Sequence, residues 1–150
     1  GNWFDPMFDD SSWRESIGGF GSGRAWNVMP RTAWKTDDIW LRRTIVLDTL
    51  PEGKVVLFVY HDDAAEAYVN GHQLKSLPGA DNHYRILPLS SAAQQSLRVG
   101  DNVIAIHCHN HPKTHGFVDV GVGEILADGA SSHRPLPRRR LKNKSILPRR

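Results

Sequence analysis

The apolar residues of this chain fall in short runs closed by glycine, proline and aspartate turns, with almost no 3.6-residue periodicity. A chain so patterned has little from which to build long helices, and it folds as a sandwich or barrel of short strands. Residues 39–47 mix apolar, aromatic and β-branched side chains, with Arg42 and Thr44 on one face and Leu41, Arg43 and Ile45 on the other. Residues 54–60 are nearly all apolar, which suits a strand covered on both sides. The run Ala67-Tyr68-Val69 enters Asn70-Gly71 and continues into Gln73-Leu74, a strong hairpin signal because both central turn residues favour positive φ. Gly100-Asp101-Asn102 opens a strand over 103–108, and residues 117–122 alternate as a last strand. Only residues 90–97 have the composition for a short helical turn.

A length of 150 residues fits one domain with a sizeable core. Nine prolines and thirteen glycines agree with many turns, and no stretch reaches the roughly 18–20 apolar residues of a membrane helix. The chain opens Gly1-Asn2-Trp3 without a charged-then-apolar leader, so it reads as part of a longer polypeptide with any export signal upstream. The formal charge of +3 misleads about the folded body. Eight basic residues and no acid follow His133; removing them from the 19 leaves 11 against 16 acidic ones, a net of −5 over positions 1–132. A sandwich over 1–128 is therefore expected to be mildly acidic, with no nucleic-acid or membrane partner. The Pro/Arg/Lys segment 129–150 lacks the apolar content to fold and is expected to be disordered. Its Arg138-Arg139-Arg140-Leu141-Lys142 run reads as a linker rather than as an anion-binding site. The single cysteine, Cys108, excludes a disulfide within the chain and a multi-cysteine zinc site, and its place in an alternating run marks it as a small buried residue.

Several segments in order carry a resemblance. Phe8-Asp9-Asp10-Ser11-Ser12-Trp13 precedes the loop Gly18-Gly19-Phe20-Gly21-Ser22-Gly23; Trp34 and residues 39–43 follow; then His61-Asp62-Asp63 leads through Glu66 to Asn70-Gly71, and Gly100-Asp101-Asn102 and 117–121 close the series. Over residues 3–126 this resembles the galactose-binding-like jelly roll, and is similar to the sugar-binding domain of family 2 glycoside hydrolases and of accessory modules in exported bacterial polysaccharide-degrading proteins. The resemblance implies a jelly-roll β-sandwich of two antiparallel sheets. It also implies a non-catalytic carbohydrate-binding module, extracellular or periplasmic, joined to the catalytic domain of a glycoside hydrolase or related enzyme. The alternative is a structural sandwich that packs on and orients a neighbouring catalytic domain without binding sugar.

Sugar recognition calls for a flat aromatic and several polar groups, here expected on loops at one end of the sandwich. The residues that fit are Trp26 and Arg24 in the glycine-rich loop, Asp62 at the strand corner, and Asn110, His111 and Lys113 in the loop after 103–108. Trp3, Trp13, Trp34 and Trp40 read as core or loop anchors. His107, His109, His111 and His115 crowd together but fit no standard zinc spacing, so neither metal nor cofactor is expected. Asp62, Asp63 and Glu66 are too close in sequence to form the opposed carboxylates of a glycosidase, and they read as turn stabilisers, with structural calcium as a lesser alternative.

Overall fold

The computed structural model describes residues 2–23, 28–111, 114–126, 134–135 and 143–146. Two antiparallel-dominated sheets stack as a sandwich. The first runs β1 (Arg14–Glu15), β12 (Asn143–Ile146), β4 (Asp38–Leu47), β9 (Gly100–His109), β6 (Ala64–Val69) and β7 (His72–Leu77). The second runs β3 (Thr32–Ala33), β2 (Phe20–Gly21), β10 (Phe117–Ile125), β5 (Lys54–Asp62) and β8 (Arg85–Pro88), with β11 (Arg134–Pro135) also paired to β10. Among the described strands only β2 and β3 pair in parallel. The expected short helix is α1 (Ser91–Gln95), where the Ser90 side chain accepts from the Ala93 N–H as its N-cap. Within the C-terminal segment, β11 pairs at Gly123 and Glu124, and β12 pairs with β4 from Trp40 to Arg43. The expectation of disorder covered the whole of 129–150; β11 and β12 within it are paired strands, and its other residues lie outside the described ones.

The core follows from period-two alternation. Ile39, Leu41, Ile45 and Leu47 of β4 and Ile104, Ile106 and Cys108 of β9 face Val55, Leu57 and Val59 of β5 and Val118 of β10. Trp34 is fully buried among them, and its indole N–H donates to Thr36 Oγ1 at 3.1 Å. Cys108 is a buried free thiol, and burial pushes its ionisation well above the ordinary range, so it packs as a small apolar residue.

The Asn70-Gly71 turn is as expected: φ is +48° at Asn70 and +84° at Gly71, which fits a type I′ hairpin between β6 and β7. Asn70 also works outward from the turn. Its amide donates to the Ser96 carbonyl and to Asn102 Oδ1, while its Oδ1 accepts from the Val103 N–H at 2.8 Å. The hairpin is thereby tied to α1 and to the start of β9.

Residues 2–13 form a cover over the outer face of the first sheet. Arg42 points outward from β4 yet is only 4% exposed, because this segment closes over it. Its Nε donates to Asp10 Oδ2 at 3.0 Å, its Nη1 donates to the Trp3 and Asp5 carbonyls, and its guanidinium lies over the Phe8 ring. Asp9 Oδ1 accepts from the Ser11 N–H, folding the Asp-Asp-Ser-Ser stretch back on its own backbone.

Beneath the same cover sits a polar and aromatic cluster. His107 bridges Asp38 (2.8 Å) and Glu66 (3.3 Å) through its two ring nitrogens, and Trp40 stacks on it at 4.8 Å. Burial works against the Asp38 carboxylate, but hydrogen bonds from His109 and His107 hold it below its ordinary range. Tyr68 stacks on Phe4 and donates to Glu66 Oε2 at 2.8 Å. Burial first, then that hydrogen bond, push the Tyr68 phenol up from 10 to about 12. A group whose folded value is raised contributes its full stability below its unfolded value and loses it as pH rises through the folded value. The melting temperature is therefore expected to fall between pH 10 and about 12. Tyr68→Phe should flatten that fall in alkaline melts, and parallel profiles for the two proteins would contradict the assignment.

Candidate functional site

Sequence reasoning pointed to the loop end of the sandwich, and the described residues there do converge. Gly116 donates its N–H to Ser22 Oγ at 3.0 Å and accepts from the Ser22 N–H, joining the glycine-rich loop to the loop before β10. A Cβ on Gly116 would stand 2.8 Å from the Trp34 ring and 2.9 Å from Asn110 Cγ, so only glycine lets these segments meet. Asp63 Oδ2 accepts from the His111 N–H at 2.8 Å and the Thr114 hydroxyl at 3.2 Å. Asn110 is buried; its Oδ1 lies 2.9 Å from Thr114 Oγ1, and its N–H donates to the Asp37 carbonyl. Asp62 is buried at the end of β5, opposite Phe117. His111 is exposed. Arg24, Trp26 and Lys113 lie outside the described residues. Asp63 at this corner thus satisfies the His111 backbone donor, in keeping with its reading as a turn stabiliser. Asp62 and Asn110 belong to the architecture of this end, and His111 presents its ring to solvent. Among the described residues, no three His, Cys, Asp or Glu side chains converge as metal ligands.

A second feature lies along the edge of β10. One edge pairs with β5 over its whole length. The other meets β2 at Phe117 and Val118 and β11 at Gly123 and Glu124, so among the described residues 119–122 have no strand partner there. A cavity of about 670 Å³ opens at this gap. Its lining joins core side chains such as Ile104 and Ile106 to outer-face groups, chiefly Phe58, Tyr84 and Asp119, and to Met29 and Arg31 from the segment after the glycine-rich loop.

The outer face of the second sheet builds the polar and aromatic wall of this cleft. Asp119 lies opposite Tyr60 in the β10–β5 register, and Gly121 lies opposite Phe58. A Cβ on Gly121 would stand 3.7 Å from Phe58 Cβ, and one on Gly123 only 2.9 Å from Phe58 Cε2, so the two glycines leave room for that ring over β10. Tyr84, just before β8, packs edge-on against Tyr60 at 5.6 Å, and Tyr60 does the same with Phe117 at 5.1 Å. The Tyr84 hydroxyl donates to Asp119 Oδ2 at 2.7 Å, while 45% of the residue stays exposed. Burial, and then this hydrogen bond, raise the Tyr84 phenol well above its usual range, so it remains a donor at any physiological pH. The result is an aromatic ring held in one orientation by a carboxylate, beside a cavity.

The sequence reading missed Tyr84, Asp119 and Arg31. A signal was present in the last strand, where Asp119, Gly121 and Gly123 share one face opposite an apolar strand bearing Phe58. Two glycines on one strand face mark a place kept open for a ring or a ligand.

No protein-family model matches the chain, and no curated protein matches it. Among solved structures, a glycosyl hydrolase family 2 member from Bacteroides cellulosilyticus aligns with 78% of this chain at 20% identity and a TM-score of 0.47. The aligned part is 18% of that protein, so the chain spans less than a fifth of its length. At that identity the likeness concerns the β-sandwich alone.

Proposed function

We propose that this sandwich is a non-catalytic carbohydrate-binding module of a larger, exported glycan-degrading protein, and that sugar occupies the cleft at the open edge of β10. The observation that carries the reading is Tyr84: a half-exposed ring fixed by Asp119 at the wall of a 670 Å³ cavity. A pyranose offers an apolar face for stacking and a rim of hydroxyls for hydrogen bonds. Tyr84 and Phe58 supply the first kind of surface; Asp119 and Arg31 supply partners for the second. The cavity falls within the roughly 300–1,000 Å³ typical of small-ligand sites. The motif order of the sequence supports the same class of function. Trp26, Arg24, His111 and Lys113 are proposed as further sugar contacts. Held beside a catalytic domain, such a module would raise the local concentration of polysaccharide through linkage.

Calorimetric titration against a panel of oligosaccharides tests this. At least one sugar should bind saturably, and Tyr84→Ala should weaken it about tenfold or more, the scale of one lost aromatic contact. Trp26→Ala, run in parallel, separates a cleft site from a loop-end site. The rival reading, a structural domain that orients its neighbour, has one observation in its favour: Ile17 and Met29 at the cleft are 65% and 70% exposed. It predicts that no saccharide binds.

A further inference from the structure

We propose that the saccharide taken by this cleft is anionic, its carboxylate or sulfate group paired with the guanidinium of Arg31. The proposal rests on the cleft being the sugar site and concerns what that site selects.

Charge is unevenly distributed around the cavity. Arg31, Arg42 and Arg43 border it, with Asp119 the one carboxylate among the described lining residues; the Arg42 guanidinium lies under the N-terminal cover on the far face of the first sheet, so Arg31 and Arg43 carry the positive charge at the cleft. Asp119 already accepts the Tyr84 hydroxyl at 2.7 Å. Arg42 is turned to Asp10 and to the carbonyls of the N-terminal cover. Arg43 reaches across from β4, its Nη1 3.3 Å from the Val120 carbonyl at the open stretch of β10. The Arg31 side chain is exposed and makes no hydrogen bond or ion pair among the described residues. Its backbone, in contrast, is fixed: the Arg31 and Thr32 N–H groups both donate to the Gly19 carbonyl, at 2.7 and 3.1 Å. A guanidinium on an anchored backbone, with its donors unused among the described residues, sits beside the ring proposed to stack on sugar.

The surrounding charge makes this arrangement informative. Positions 1–132 carry a net of −5, so a cleft with an excess of arginine is not the default for this surface. Acid–arginine pairing is also geometrically suited to the task, since the planar fork of Arg matches a carboxylate in two parallel hydrogen bonds. A neutral sugar offers hydroxyls to that fork but no charge to pair with it.

The test is calorimetry on the full chain with three probes: a neutral galacto-oligosaccharide, an oligogalacturonate of the same length, and a sulfated galacto-oligosaccharide. The expected result is at least tenfold tighter binding of one anionic probe than of the neutral one. The uronate and sulfate arms tell which anion is read. Arg31→Gln should remove the preference, bringing the anionic probe to within about twofold of the neutral one at an unchanged melting temperature, and Arg31→Lys should restore part of it. Raising ionic strength should weaken the anionic probe alone. Equal affinity for neutral and anionic probes, or a preference that survives Arg31→Gln, would overturn the anion assignment and leave sugar binding intact. No binding of any probe would overturn both readings.

Discussion

Arg42→Met is expected to lower stability by about 3 kcal/mol, near the low end of the range for removing one partner of a buried ion pair. The residue is almost completely buried, and three acceptors from the cover over residues 2–13 converge on its guanidinium. Methionine matches the stem and keeps contact with Phe8, but it leaves the Trp3 and Asp5 carbonyls without their donor. Asp10 keeps partial access to water, with 26% of its side chain exposed, which holds the loss below the extreme. For a chain of this size the corresponding fall in Tm is roughly 6–12 °C. Thermal unfolding measures the total, and amide exchange shows where the loss falls: protection should drop first around Trp13 and at β4. A change below about 1 kcal/mol, the worth of one ordinary hydrogen bond, would mean that the cover is held by its aromatic contacts and not by Arg42.

Asn102→Ala is expected to cost about 2–3 kcal/mol through unsatisfied buried polar groups. Asn102 is fully buried and uses its whole amide. Its Oδ1 accepts from Asn70 Nδ2 at 2.9 Å and the Arg98 N–H at 3.1 Å, while its Nδ2 donates to the Arg98 carbonyl at 2.7 Å and the Gly100 carbonyl at 3.0 Å. Alanine leaves all four partners without this contact. The Asn70-Gly71 hairpin, α1 and the start of β9 lose a common anchor. Urea unfolding of the variant should show a lower midpoint with an unchanged slope, because the same surface is exposed on unfolding. A midpoint equal to that of the parent would show that water replaces the amide without loss.

The strands, the hairpin and the helical turn were legible in the sequence because each is coded within a few residues. Alternation set Leu41 and Ile45 on one face of β4 and Arg42 on the other without saying which is the core, and Asn70-Gly71 specified its own turn. The cover over the first sheet was not legible. Its link is a single arginine 32 to 39 residues away from the acceptors it satisfies, and alternation alone places Arg42 only on the face it shares with Thr44. Loop chemistry was partly legible. The residue types of Asp62-Asp63 suggested backbone satisfaction at a corner, and Asp63 does this work for His111. Asn110 carried the same polar signal, yet its amide is consumed by Thr114 inside the loop. The cleft was hidden for a different reason. Among the described residues β2 and β11 each pair with only a two-residue stretch of β10, and which strands leave an edge open is a property of topology rather than of local pattern.

The open edge of β10, with Tyr84, Asp119 and Arg31 around it, is the proposed sugar site. Mapping amide chemical-shift changes during titration with the tightest saccharide of the panel tests it most directly. The account predicts saturable changes centred on Tyr84, Asp119, Gly121 and Arg31, with residues 70–77 on the far sheet unmoved. Changes confined to His111 and the end loops, or a spectrum unmoved by every saccharide, would contradict it.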